Sequence, residues 1–197
     1  RLWRQGFDIV RLNLRDHGDT HHLNREIFHS CRLPEVLGAL RTIARHFSGA
    51  RLYLAGFSLG GNFLLRAAAD ADLPGSVAGV VAVSPVLDPA STLLAMERGT
   101  AVYRRYFVRG RALSLRDKAR AWPGRCDFNA VLRSADLRRM TVQLVGAYTP
   151  WAHVDEYLAG YAITGTRRTC RRGPAALLLA QDDPIIPAID VARLAAS

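Results

Sequence analysis

The chain has 197 residues, 27 of them basic and 17 acidic, for a formal net charge of +10. That length fits one globular domain, and 49% hydrophobic with 22% charged residues excludes a disordered or collagen-like chain. No apolar run approaches the roughly 18–20 residues of a membrane helix, and no charged-then-apolar leader opens the sequence.

Residues 7–14 (FDIVRLNL) are β-branched and aliphatic and predict a first strand, ended by the polar stretch Arg15 to Thr20. Ser30 is the expected cap of a helix whose apolar stripe is Leu33, Val36, Leu37, Leu40, Ile43 and Phe47, with Pro34 in its first turn. Gly49 stops that helix, and residues 51–55 (RLYLA) predict a second strand. Residues 60–71 predict a helix apolar on most faces. Residues 77–84 (VAGVVAVS) predict a third strand, almost continuously apolar, as in a parallel sheet covered on both faces. From Asp88 to about Leu144 the pattern becomes helical, Arg-rich and broken by Gly and Pro. Residues 175–180 predict a fourth strand, with Asp182, Asp183 and Pro184 just beyond it. Strands alternating with helices predict an α/β fold with a parallel sheet. The expected division is a first core half over 1–87, a helical lid insertion over 88–144 and a return to the core over 145–197.

The positive charge is almost all Arg, Lys118 being the only lysine, and no nucleic-acid-binding motif accompanies it. It reads as compositional bias, and nucleic acid is not an expected partner. Cys31, Cys126 and Cys170 lie far apart without CxxC spacing, which predicts buried, reduced thiols and a cytoplasmic location.

The motif that carries chemistry is Gly56-Phe57-Ser58-Leu59-Gly60, followed by Gly61. It joins a predicted buried strand to a predicted helix, the context in which a sharp turn lifts a serine hydroxyl above a sheet edge. Side chains at positions 56 and 60 are expected to collide with neighbouring elements, hence the glycines. The Leu59 N–H, at the helix start, is the expected oxyanion donor.

The stretch Ala55 to Asn62 (AGFSLGGN) resembles the nucleophile elbow of α/β-hydrolases. The loop Arg15 to Thr20 (RDHGDT) is similar to their R-G-x-G-x-[ST] loop. Met96 to Gly99, Val102 to Tyr106 and Asp155 to Tyr157 resemble the YheT-like branch. The resemblance implies an α/β-hydrolase fold and serine-dependent hydrolysis of carboxylic esters, of short- or medium-chain acyl esters or acylglycerols, without metal or organic cofactor. It implies a small-molecule ester or lipid as substrate. In this fold the triad runs Ser, then Asp or Glu, then His. Asp183, before Pro184 in Asp-Pro-Ile-Ile-Pro, is the implied acid, with Asp182 and Asp88 as alternatives.

None of the six histidines follows Asp183. The implied base and the second oxyanion donor therefore fall outside this chain, which begins with Arg1 and reads as cut from something longer. As given, it is expected to be inactive or severely impaired; a non-catalytic remnant or binding module is the alternative. His153 precedes the acid and is a poor substitute. The cluster His17, Asp19, His21 and His22 offers a further reading as a metal-dependent hydrolase. Residues 103–109 (YRRYFVR) predict an amphipathic lid helix, aromatics down and Arg outward, compatible with weak contact with a membrane surface. Trp122 and Trp151 are expected packing or pocket-lining residues.

Overall fold

The computed structural model describes residues 2–164 and 174–195. Three parallel strands form its sheet in the order β1 (Leu52–Phe57), β2 (Val77–Val83), β3 (Ala175–Leu178). Each is a short aliphatic run, as the periodicity predicts. Ala55 pairs with Val81, and Val81 with Ala176, so side-chain faces are in register across all three.

Helices α1 (Leu33–His46) and α2 (Leu59–Ala68) cover one face. Leu52, Leu54, Val80 and Ala175 pack there against Val36, Leu37, Leu40, Phe63 and Leu64. Helix α2 is buried from Gly61 to Ala68, which explains its apolar sequence on nearly all sides. On the opposite face Tyr53, Phe57 and Leu178 are exposed.

Two local expectations are corrected. Residues 7–14 run as extended chain outside any ladder, with Phe7, Ile9, Val10 and Leu12 exposed. A strand exists only where neighbouring backbone takes its N–H and C=O groups, and no described segment lies beside this one to do so. Ser30 does not cap α1. Arg32 stands at that position without a side-chain capping bond, and Pro34 occupies the first turn. Ser30 is instead buried, its N–H donating to the Tyr157 hydroxyl at 3.0 Å and its carbonyl accepting from Arg66 at 2.8 Å.

Between β2 and β3 the chain forms α3 (Pro89–Arg98), α4 (Ala101–Ala121), α5 (Asn129–Leu132), α6 (Leu137–Tyr148) and α7 (Val154–Ala159); α8 (Ala188–Ala195) follows β3. Asp88 caps α3 by accepting from the Ala90 and Ser91 N–H groups, and Asp136 caps α6 through Arg139 N–H. Their shared core joins Leu93, Leu137, Val145, Tyr157, Leu158 and Tyr161 to Leu59 at the start of α2 and to Ile185 and Ile186 after β3. The helical layer thus sits over the end of the sheet that bears the serine.

Helix α4 departs from the expected amphipathic pattern. Phe107 and Val108 pack inward, whereas Tyr106 is 71% exposed and Tyr103 is exposed too. Only one stripe of the helix meets the rest of the molecule. Within it Lys118 is fully buried and donates to Asp16 Oδ1 at 2.8 Å and to the Asn24 carbonyl at 2.6 Å. Trp122 Nε1 donates to the His21 carbonyl, while Arg25 lies over its ring. The chain's one lysine therefore fastens α4 to the loop that begins at Arg15.

Candidate active site

The turn from β1 into α2 places Ser58 at φ 49° and ψ −119°, a backbone conformation rare for a side chain other than glycine. Its N–H donates to the Val83 carbonyl at 2.9 Å, and its own carbonyl accepts from Asn62 and Val86 N–H. Those bonds hold the strained turn between two strand ends and leave the serine exposed. Gly56 is required by contact: a Cβ there would lie 2.7 Å from the Gly60 carbonyl carbon and oxygen. The expectation for Gly60 is corrected, since a Cβ at that position meets nothing within 4 Å. The second tight position is Gly61, where a Cβ would stand 3.0 Å from Pro85 Cβ. Leu59 opens α2, and its N–H, in the first turn, has no intrahelical acceptor.

Asp183 follows β3. Its Oδ1 accepts from Ile185 N–H at 2.9 Å and Ile186 N–H at 3.0 Å, so the turn fixes the carboxylate direction. Burial pushes its pKa up, but those two N–H groups and the Ser84 hydroxyl outweigh it and hold the carboxyl below its ordinary value. Ser84, at the end of β2, has φ 40° and donates its N–H to the Leu178 carbonyl. Sequence reading missed its role; its one signal is a serine ending a strand before Pro85. Ser58, Ser84 and Asp183 therefore mark the same end of three adjacent parallel strands.

The two other candidate carboxylates are placed differently. Asp88 is committed to the α3 cap, with Arg193 at 3.6 Å from its other oxygen. Asp182 is exposed. Asn62, also missed, is fully buried and donates to the Val86 and Tyr161 carbonyls at 2.8 Å, tying the elbow helix to the helical layer. Its signal was its place in GGN directly after the serine motif.

The histidines serve elsewhere. His17 Nδ1 lies 2.7 Å from the Arg15 carbonyl, and its ring meets Phe28 edge-on. His21 Nε2 bonds Ser114 Oγ at 2.9 Å, while His22 and His153 are exposed. Among the described residues no three His, Cys, Asp or Glu side chains converge to hold a metal, so His17, Asp19, His21 and His22 do not assemble as a ligand set. His29 packs against Trp151 and Tyr157, and burial together with Arg32 drives its pKa down to about 4. Burial raises the thiol of Cys31 to about 11 and that of Cys126 in the same direction, so both are unreactive. Cys170 lies outside the described residues. A cleft of about 210 Å³ between residues 12–15, α1 and Phe63 does not include Ser58 or Asp183.

Residues 2–197 match the family described as alpha/beta hydrolase fold. The chain belongs to this α/β-hydrolase family. It is 28% identical over 177 residues to the Escherichia coli (strain K12) protein named "Putative esterase YheT", covering 86% of this chain and 50% of that protein. The chain thus spans about half the length of that relative. The Paleococcus ferrophilus monoacylglycerol lipase crystal structure is similar at 24% identity and a TM-score of 0.39, over 82% of this chain and 59% of the lipase. Within this α/β-hydrolase, no described helix is long and apolar enough to cross a membrane.

Proposed function

We propose that the chain carries the nucleophile and acid of a carboxylic ester hydrolase acting on a short- or medium-chain acyl ester or an acylglycerol. The observation that carries this reading is the exposed, positive-φ Ser58 between β1 and α2, one strand from Ser84 and two from the oriented Asp183. The similarity to a protein named as an esterase supports it.

In the proposed reaction Ser58 Oγ attacks the ester carbonyl and an imidazole accepts its proton. The alcohol leaves with that proton, and water then releases the acid from the acyl-serine. Asp183 orients the imidazole through the oxygen that the Ile185 and Ile186 N–H groups leave free. The Leu59 N–H receives the developing oxyanion, with a second donor from outside these residues. All six histidines precede Asp183, so none stands where the Ser, acid, His order of this fold puts the base. The helical layer bounds the acyl site.

Fluorophosphonate labelling of the longer protein tests this. Ser58→Ala abolishes labelling and hydrolysis of p-nitrophenyl butyrate, and the isolated chain reacts more slowly by on the order of 10³-fold or more. Labelling that persists in Ser58→Ala overturns the assignment.

A further inference from the structure

Helix α4 turns a second apolar row away from the molecule. Val102, Tyr106 and Leu113 stand at i, i+4 and i+11. At 3.6 residues per turn they fall within about 40° of one another and span about 16 Å along the axis. All three are exposed, Val102 at 76%, and Tyr103 beside them is exposed as well. The inner face of the same helix is already occupied: Phe107 and Val108 pack into the helical layer, and Leu115 and Lys118 are buried. Residues 103–109 predict the opposite, with every aromatic turned toward the protein. Single exposed apolar side chains are ordinary, whereas a continuous row along one helix marks a contact surface.

A basic row runs beside the apolar one with the same spacing. Arg105, Arg109 and Arg116, again i, i+4 and i+11, are all exposed. Their row lies about 60° around the helix from the apolar row. Among the described residues none of the three has an Asp or Glu within ion-pair distance. Asp117, the only acidic residue of α4, is paired with Arg120 at 3.0 Å. The outer face therefore presents uncompensated positive charge along one flank of an apolar strip.

Charge decides what covers such a face. A second copy of the chain would bring an equally basic row against this one. A nucleic acid would neutralise the arginines but leave Val102 and Leu113 in water. An anionic bilayer surface satisfies both rows at once: long arginine side chains reach headgroup phosphates while the strip beside them enters the acyl boundary. Tyr103 and Tyr106, apolar rings with a polar tip, suit that depth. The helix would lie on the membrane without crossing it, and no described helix is long and apolar enough to cross.

We infer that the outer face of α4 is a docking surface for an anionic membrane. Val102, Tyr106 and Leu113 enter the interface, and Arg105, Arg109 and Arg116 bind headgroup phosphates. Docking needs no opening of the fold, because the inner face of α4 keeps Phe107 and Val108 in the helical layer. The inference goes beyond the ester-hydrolase reading and stands independently of it.

The test is co-sedimentation of the longer protein with vesicles of phosphatidylcholine alone or mixed equally with phosphatidylglycerol, in low and high salt. The wild type binds the mixed vesicles at least about tenfold more tightly than the neutral ones, and salt weakens that binding. Replacing Arg105, Arg109 and Arg116 together by Gln lowers it on the order of 100-fold, at about fivefold per arginine near the surface. A charge-matched control, Arg41, Arg45 and Arg51 to Gln on α1 and ahead of β1, lowers it by about threefold or less, because those charges lie away from the contact. Val102→Ser, Tyr106→Ser and Leu113→Ser together leave the charge unchanged and lower it by about tenfold or more. All these side chains are exposed, so melting temperatures stay near that of the wild type and separate lost docking from lost folding. No binding to the mixed vesicles, or an equal loss in the control, overturns the inference. So does a triple serine variant that binds as the wild type, which makes the basic row a general polyanion site. A wild-type dimer in sedimentation velocity that the same variant dissolves also overturns it, assigning the face to self-association.

Discussion

Ser58 occupies a backbone conformation that costs on the order of 1–3 kcal/mol for a residue with a side chain, and its neighbours show how that strain is held. Gly56 leaves no space for a Cβ against Gly60, whereas Gly60 itself faces open space. The two glycines of one motif therefore have different sensitivities. Gly56→Ala is expected to destabilise by about 3 kcal/mol, the upper part of the overpacking range. Gly60→Ala is expected to be neutral or to gain up to about 1 kcal/mol from helix propensity. Urea unfolding curves check this, and equal losses at both positions contradict it. The motif was legible because strand, turn and helix signals surround the serine. The tightness at Gly61 was not, because it depends on Pro85 and Ala82, more than twenty residues away in sequence. Ser84 escaped notice for the same reason: its place beside Asp183 arises only when β2 and β3 pair.

Elements whose signal is local emerged as expected. The stripe of α1, the buried run of β2 and the short β3 follow from periodicity and length. Residues 7–14 carry an equally good strand signal but have no ladder, since pairing is a property of the neighbour as much as of the segment. Helix α4 was misread in its details because its inward stripe is set by one buried ion pair as much as by aromatics. Asp16, at φ 58° in a loop position where the resembling pattern has glycine, bonds Lys118 and the Phe28 N–H. Removing one partner of such a pair strands a buried charge, whereas removing both does not. Lys118→Met alone should therefore destabilise by about 3 kcal/mol, and Asp16→Gly combined with Lys118→Met should recover most of that loss. A double-mutant cycle in urea measures the coupling; strictly additive losses contradict the latch.

For the molecule as a whole, composition and the alternation of elements revealed the fold class, and the serine motif the sharp strand-to-helix turn. They did not reveal that one face of the sheet would be covered and the other left with Tyr53, Phe57 and Leu178 exposed, because coverage is decided by tertiary arrangement. Nor did a net charge of +10 indicate where charge lies inside. The burial of the chain's single lysine has a practical consequence. A lysine-specific protease has one target in this chain, the bond after Lys118, in the last turn of α4, where the lysine is 1% exposed. Cleavage requires α4 to come away from the loop at Asp16, so the appearance of a single pair of fragments is a clock for that opening. Slow cutting in native buffer, accelerated in Asp16→Gly, is the expected record; cutting at the rate of the urea-unfolded chain contradicts the latch.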